Sequence, residues 1–110
     1  MHKMTARVVV MAAVMLYSAA AAAACELPSP PSRIPDGSAA TEQEMVAAMK
    51  TLKQYNADVS EYTMCLEFEG RRNQITIDEQ AKQRNLALNT LATVAAQFNE
   101  QVRRFKARHG

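Results

Sequence analysis

The sequence predicts an all-α protein, an antiparallel two-helix hairpin of coiled-coil type, preceded by an extended proline-rich arm and an N-terminal signal helix. Three observations carry this expectation. All four prolines fall between Cys25 and Gly37. Two long stretches without Pro follow, each opened by a Thr-x-x-Glu pattern. Within both, apolar residues recur at alternating spacings of three and four, the period of helices packed at a shallow angle.

The segment 1–24 reads as an address. Lys3 and Arg7 form a positive start, Val8 to Leu16 is continuously apolar, and Ala22-Ala23-Ala24 supplies small residues just before Cys25. Its apolar stretch is short of the ~20 residues that a membrane span needs, and Ala is a weak membrane residue. A cleaved signal peptide is therefore expected, with cleavage near Ala24/Cys25 and a periplasmic or secreted product. An uncleaved anchor is the alternative. A lipoprotein is another, because Cys25 directly follows the cleavage pattern, although Ala22 stands where such signals usually carry Leu.

Size and charge restrict the function classes. A chain of 110 residues makes one small domain, too small for a deep pocket. Without the signal, the chain is less apolar than its overall 48% and holds equal numbers of basic and acidic residues. The overall pI of about 8.7 thus reflects the signal and gives no reason to expect nucleic-acid binding. Export also changes the meaning of the two cysteines. In an oxidising compartment they suggest a disulfide, and Cys25–Cys65 is the one pairing available within the chain. Closing that loop stabilises a fold by about 4 kcal/mol in the chain-entropy account.

From residue 25 to about 40 the arm should be extended, ending in a turn at Ile34-Pro35-Asp36-Gly37. Thr41 and Glu44 form a capping box that opens a helix over about 41–69, with Gly70 as its stop. A second box at Thr76 and Glu79 opens a helix over about 76–108, after a loop around Arg71–Gln74. The first seam is Met45, Ala48, Leu52, Tyr55, Val59, Tyr62 and Leu66. The second is Ile77, Ala81, Leu88, Leu91, Ala95, Phe98, Val102 and Phe105, interrupted by Arg84.

An antiparallel register pairs Met45 with Phe105, Ala48 with Val102, Leu52 with Phe98, Tyr55 with Ala95, Val59 with Leu91 and Tyr62 with Leu88. Charge agrees: residues 36–69 carry a net negative charge and 70–110 a net positive one of equal size, with Glu42 and Glu44 level with Arg103–Arg108. Such pairs, when exposed, steer the pairing more than they hold it. The arm is long enough to run back along the first helix to Cys65, where Leu27 and Ile34 are expected to cover Met49, Met64 and Phe68.

Cys25, Pro28, Pro31, Ile34-Pro35-Asp36-Gly37, Glu44-Met45, Tyr55-Asn56-Ala57 and Tyr62…Cys65-Leu66 together resemble a group of small exported proteobacterial proteins with no characterised function. The resemblance covers roughly residues 25–67 and stops before the second helix. It implies an envelope location and a paired-cysteine layout, and transfers no catalytic residue.

The residues for chemistry are few. His2 lies in the signal and His109 at a helix end, so a Cys65–His109 nucleophile pair is not expected. Glu42/Glu44 and Asp78/Glu79 suit helix starts, and Glu67/Glu69 a solvated face. Met45, Met49 and Met64 have the thioether chemistry of copper ligands, but no imidazole completes a set and packing explains them. Tyr55 and Tyr62 read as seam aromatics. No enzyme, cofactor or metal is expected. The candidate surface is the basic end Arg103, Arg104, Lys106 and Arg108, suited to an anionic envelope surface or to answering the helix dipole.

The resulting expectation is a non-enzymatic envelope interaction module that self-associates through Leu86, Ala92 and Val94 or binds another envelope protein. The alternative is a peripheral membrane component or lipoprotein, held through Cys25 or the basic end.

Overall fold

The computed structural model describes residues 25–109, and the expected signal segment 1–24 lies outside the described residues. Two helices form a hairpin, α1 from Glu42 to Arg71 and α2 from Ile77 to His109. No helix among the described residues is long and apolar enough to cross a membrane.

The helix ends show which local signals acted. Thr41 caps α1 as a full capping box: the Glu44 N–H donates to the Thr41 hydroxyl at 3.1 Å, and the Thr41 N–H donates back to Glu44 Oε1 at 3.4 Å. At α2 only half of the box forms. The Glu79 N–H donates to Thr76 Oγ1 at 3.1 Å, while the Glu79 carboxylate accepts from Gln83 instead. Gly70 does not stop α1. The helix continues to Arg71, and Asn73 takes the left-handed conformation with φ 56°. An asparagine tolerates that region, so a glycine was not required.

The α1 seam is as the periodicity predicts: Met45, Tyr55, Val59, Tyr62 and Leu66 are buried, with Leu66 and Val59 the most enclosed. The α2 seam differs. Ala87, Val94 and Phe98 are buried, whereas Leu88 is 43% exposed and Ile77 83%. Leu91, Val102 and Phe105 remain packed against the core at its flanks.

The arm explains the displacement. Ile34 packs against both core clusters, and Gly37 is buried against α2 at Gln101 and Phe105. The core therefore has three components, α1, α2 and the arm: Ala87 and Val94 of α2 belong to the cluster that Cys25 and Ile34 pack against, and Gln101 meets Gly37. Spaced by sevens, Ala87, Val94 and Gln101 lie on one helical line.

Two expectations are corrected by this packing. Val94 is a core residue, so the face proposed from Leu86, Ala92 and Val94 does not exist. Leu86 and Ala92 themselves lie about 120° apart around the helix. Nor does the arm shield Met49, Met64 and Phe68, which are exposed along with Leu27. Ile34 covers the seam itself, because the arm settles in the groove between the helices rather than on the outer face of α1.

Candidate functional site

The hairpin has two long grooves, and the arm fills one of them. It is fixed at both ends. Near the turn of the hairpin, Cys25 and Cys65 form a disulfide with their Cα atoms 5.7 Å apart, within the usual range for such a bridge. At the far end Asp36 organises a compact turn: its carbonyl accepts from the Ala39 and Ala40 N–H groups, and its carboxylate from the Ser38 N–H at 2.9 Å. The Ser38 backbone hydrogen bond, then the Ser38 side chain, hold the Asp36 carboxyl below its ordinary range, with Arg104 and Arg108 assisting.

That turn brings Gly37 down onto α2. Its N–H donates to Gln101 Oε1 at 2.9 Å. A Cβ here would overlap the Gln101 carbonyl oxygen and lie 3.0 Å from the Phe105 nitrogen. Both are backbone atoms of a helix, which cannot yield cheaply, so the close approach requires glycine. The sequence suggested a turn at Gly37 but gave no sign of this contact.

The basic end is only partly a free surface. Arg108 reaches the arm: Nη1 donates to the Ser38 carbonyl at 2.7 Å and Nη2 to the Ala40 carbonyl. The Phe105 ring lies under its guanidinium at 5.6 Å. Arg103 and Arg104 both pair with Glu100 within α2, and the Arg103 contact draws the Glu100 carboxyl downward. Lys106 is exposed. The expected ion pairs between Glu42 or Glu44 and this end do not form among the described residues, since Glu44 serves its capping box and Arg108 binds carbonyls.

The other candidate groups fall into structural places. Cys65 is bonded to Cys25, and His109 stacks on Phe105 with ring centroids 4.2 Å apart at the far end. The Cys–His pair is therefore not assembled. Both sulfurs lie near a Glu69 carboxylate oxygen, all within 4.8 Å, but sulfurs joined to each other offer no thiolate to a metal. Met45 is in the core, whereas Met49 and Met64 are exposed. Burial raises both seam phenols; for Tyr62 the charges of Glu69 and Glu79 add to it. Tyr62 also donates its hydroxyl proton to Gln83 Oε1 at 3.3 Å, bridging the helices.

The second groove carries no arm. Leu52, Lys53 and Asn56 from α1 and Leu88, Leu91, Ala92 and Ala95 from α2 line it. Its floor is the flank of the core, and its rim on α2 is the exposed Leu88 and Ala92. Sequence reasoning missed this surface by assigning Leu88 to the seam. No protein family, curated protein or solved structure matches the chain, so these surfaces are read on their own chemistry.

Proposed function

We propose that this protein is an exported, non-enzymatic helical interaction module of the cell envelope, processed near Ala24/Cys25 and working through its arm-free groove. The observation that carries the reading is the contrast between the grooves. One is closed by a disulfide-anchored arm, and the other presents Leu52, Leu88, Leu91, Ala92 and Ala95 side by side. An apolar furrow between two helices suits a third helix laid along it. The disulfide supports an oxidising compartment, in keeping with the charged-then-apolar start of the chain.

A photoreactive side chain placed at Leu88 tests the reading in intact cells, with the same probe at Leu86 as the control. Adducts from Leu88 alone are expected; none from Leu88 would overturn the groove as the working surface. Intact mass with and without reductant tests the processing. A cleaved chain gaining two protons on reduction is expected. A mass carrying an acylated glycerol on Cys25 would replace the stapled module with a lipid-tethered one.

A further inference from the structure

One line of α2 has a pattern that neither the core nor the arm uses. Asp78, Asn85, Ala92, Asn99 and Lys106 are spaced by sevens and are all exposed. Seven residues are nearly two turns, so the five form a line along the helix, drifting only about 20° per repeat. The line reads the same in chemical complement from either end. A carboxylate at one end matches an ammonium at the other, amides lie symmetrically between, and an alanine sits at the centre.

We propose that the occupant of the open groove is a second copy of this chain, docked with its α2 antiparallel to the first across a two-fold axis at Ala92. This rests on the interaction-module reading above and names its partner. In that register Asp78 meets the partner's Lys106 at both ends of the interface. Asn85 lies opposite the partner's Asn99, and the two Ala92 methyl groups meet on the axis, where small side chains let the backbones approach. Leu88 falls opposite the partner's Ala96, a large residue against a small one.

Charge complementarity selects the orientation. A parallel arrangement in the same register would set Asp78 against Asp78 and Lys106 against Lys106, whereas the antiparallel one converts both clashes into attractions. Neither Asp78 nor Lys106 has an ion-pair partner among the described residues. The polar centre also favours one register: sliding by one heptad would put an asparagine against Ala92 and separate the end charges.

The available area is sufficient. The line from Asp78 to Lys106 runs about 42 Å at 1.5 Å per residue. A partner helix seated in the groove touches both α1 and α2, a strip about 20 Å wide. Contact along that whole line would amount to about 800 Å² per copy, the size at which specific dimers become stable, with the groove lined by Leu88, Leu91, Ala92 and Ala95 at its centre. Leu52 and Leu91 at the base of the groove supply the apolar centre, and Lys53 and Asn56 the polar edge.

Sedimentation equilibrium on the full chain, expressed for export and purified oxidised, tests the pairing. The wild type is expected to sediment as a dimer at micromolar concentration. Asp78→Lys and Lys106→Asp should each weaken association about tenfold, by placing like charges opposite each other at both ends. The double variant carrying both swaps should return to within about threefold of the wild type. Ala92→Glu should leave a monomer, since it sets two carboxylates on the axis. All three positions are exposed, and an unchanged far-UV spectrum with an intact disulfide verifies that each variant is folded.

A wild type monomeric at about 100 μM would overturn the proposal, as would a dimer indifferent to Ala92→Glu or a double swap as weak as either single one. A monomer that still gives adducts from a probe at Leu88 would overturn self-docking alone. A monomer giving none would overturn the module reading as well.

Discussion

The two grooves of this hairpin have the same walls and opposite fates. On the closed side the arm lays Ile34, Gly37 and Ala40 against the helices, where Gln101 bonds Gly37 and Ile34 packs on the cluster that holds Ala87 and Val94. On the open side Leu88 and Ala92 stand at the surface. The difference shows that burial on α2 is decided by what lies beside it rather than by side-chain size. Ala87 is buried and Leu88 is not: the cluster that holds Ala87 is packed by Cys25 and Ile34 of the arm, whereas among the described residues Leu88 stays 43% exposed.

The largest expected effect comes from releasing the strap. Replacing Cys25 and Cys65 with Ala should cost about 4 kcal/mol of stability, given the separation of 40 residues that the bridge closes. For a domain of this size that is a fall in Tm of about 15–30 °C, read by calorimetry. With the arm loose, the cluster that holds Ala87 and Val94 should lose the cover of Ile34, and the contrast between the two sides of the hairpin should shrink. An unchanged Tm would show that the arm is held without the bridge, and that the closed groove is sealed by packing alone.

A smaller loss should follow from Gly37→Ala, which forces the turn off the α2 backbone. Overpacking of this kind costs about 1–3 kcal/mol, and urea unfolding would measure it. Faster hydrogen exchange at the Gly37 amide, which is bonded to Gln101 in the folded state, should accompany it. A variant as stable as the wild type would mean that the strap tolerates a wider gap than its packing implies.

Smaller again is the effect of Arg108→Gln. This removes the charge from the group that binds the Ser38 and Ala40 carbonyls while leaving the disulfide end untouched. A drop of about 4–8 °C in Tm is expected, corresponding to the modest net value of hydrogen bonds at a solvated site. Added salt should reduce the wild-type stability towards that of the variant. Equal stability in both would assign Arg108 to the free basic surface with Lys106.

How much of this was legible follows the same division. The helices and their starts are written locally, as Thr41 with Glu44 and the long breaker-free runs, and the cysteine pairing follows from there being only two. The α1 seam is legible because its large residues lie on a single stripe. α2 carries two stripes, one through Ala87 and Val94 and one through Leu88 and Ala95, and sequence favours the stripe with the larger residue. Choosing between them requires knowing which groove the arm enters, a tertiary fact with no local signature. Arg108 was misjudged for the same reason: a basic residue near a helix end looks like an answer to the dipole until another segment brings carbonyls within its reach. The sole local hint was Gly37, whose lack of a side chain was explained by the turn and not by what the turn approaches.

The smallest effect is a pH dependence confined to the closed side. Asp36 accepts the Ser38 N–H in the turn that seats Gly37, and this bond holds its carboxyl below the ordinary value. A depressed carboxylate stabilises the folded state at pH values above its unfolded pKa, because the unfolded chain then has no proton advantage. As pH falls below about 4, the unfolded chain takes up its proton first, and the contribution is lost as the folded carboxyl in turn protonates. The turn should therefore loosen at acidic pH while the disulfide end stays fixed, and the Ser38 and Gly37 amide resonances should shift together in a titration. In Asp36→Asn that linked shift should vanish. Leu88 and Ala92, on the side without an arm, should not report it in either protein. A titration felt equally on both sides would mean that the acid response belongs to the hairpin as a whole, and that the strap is not a separate structural unit.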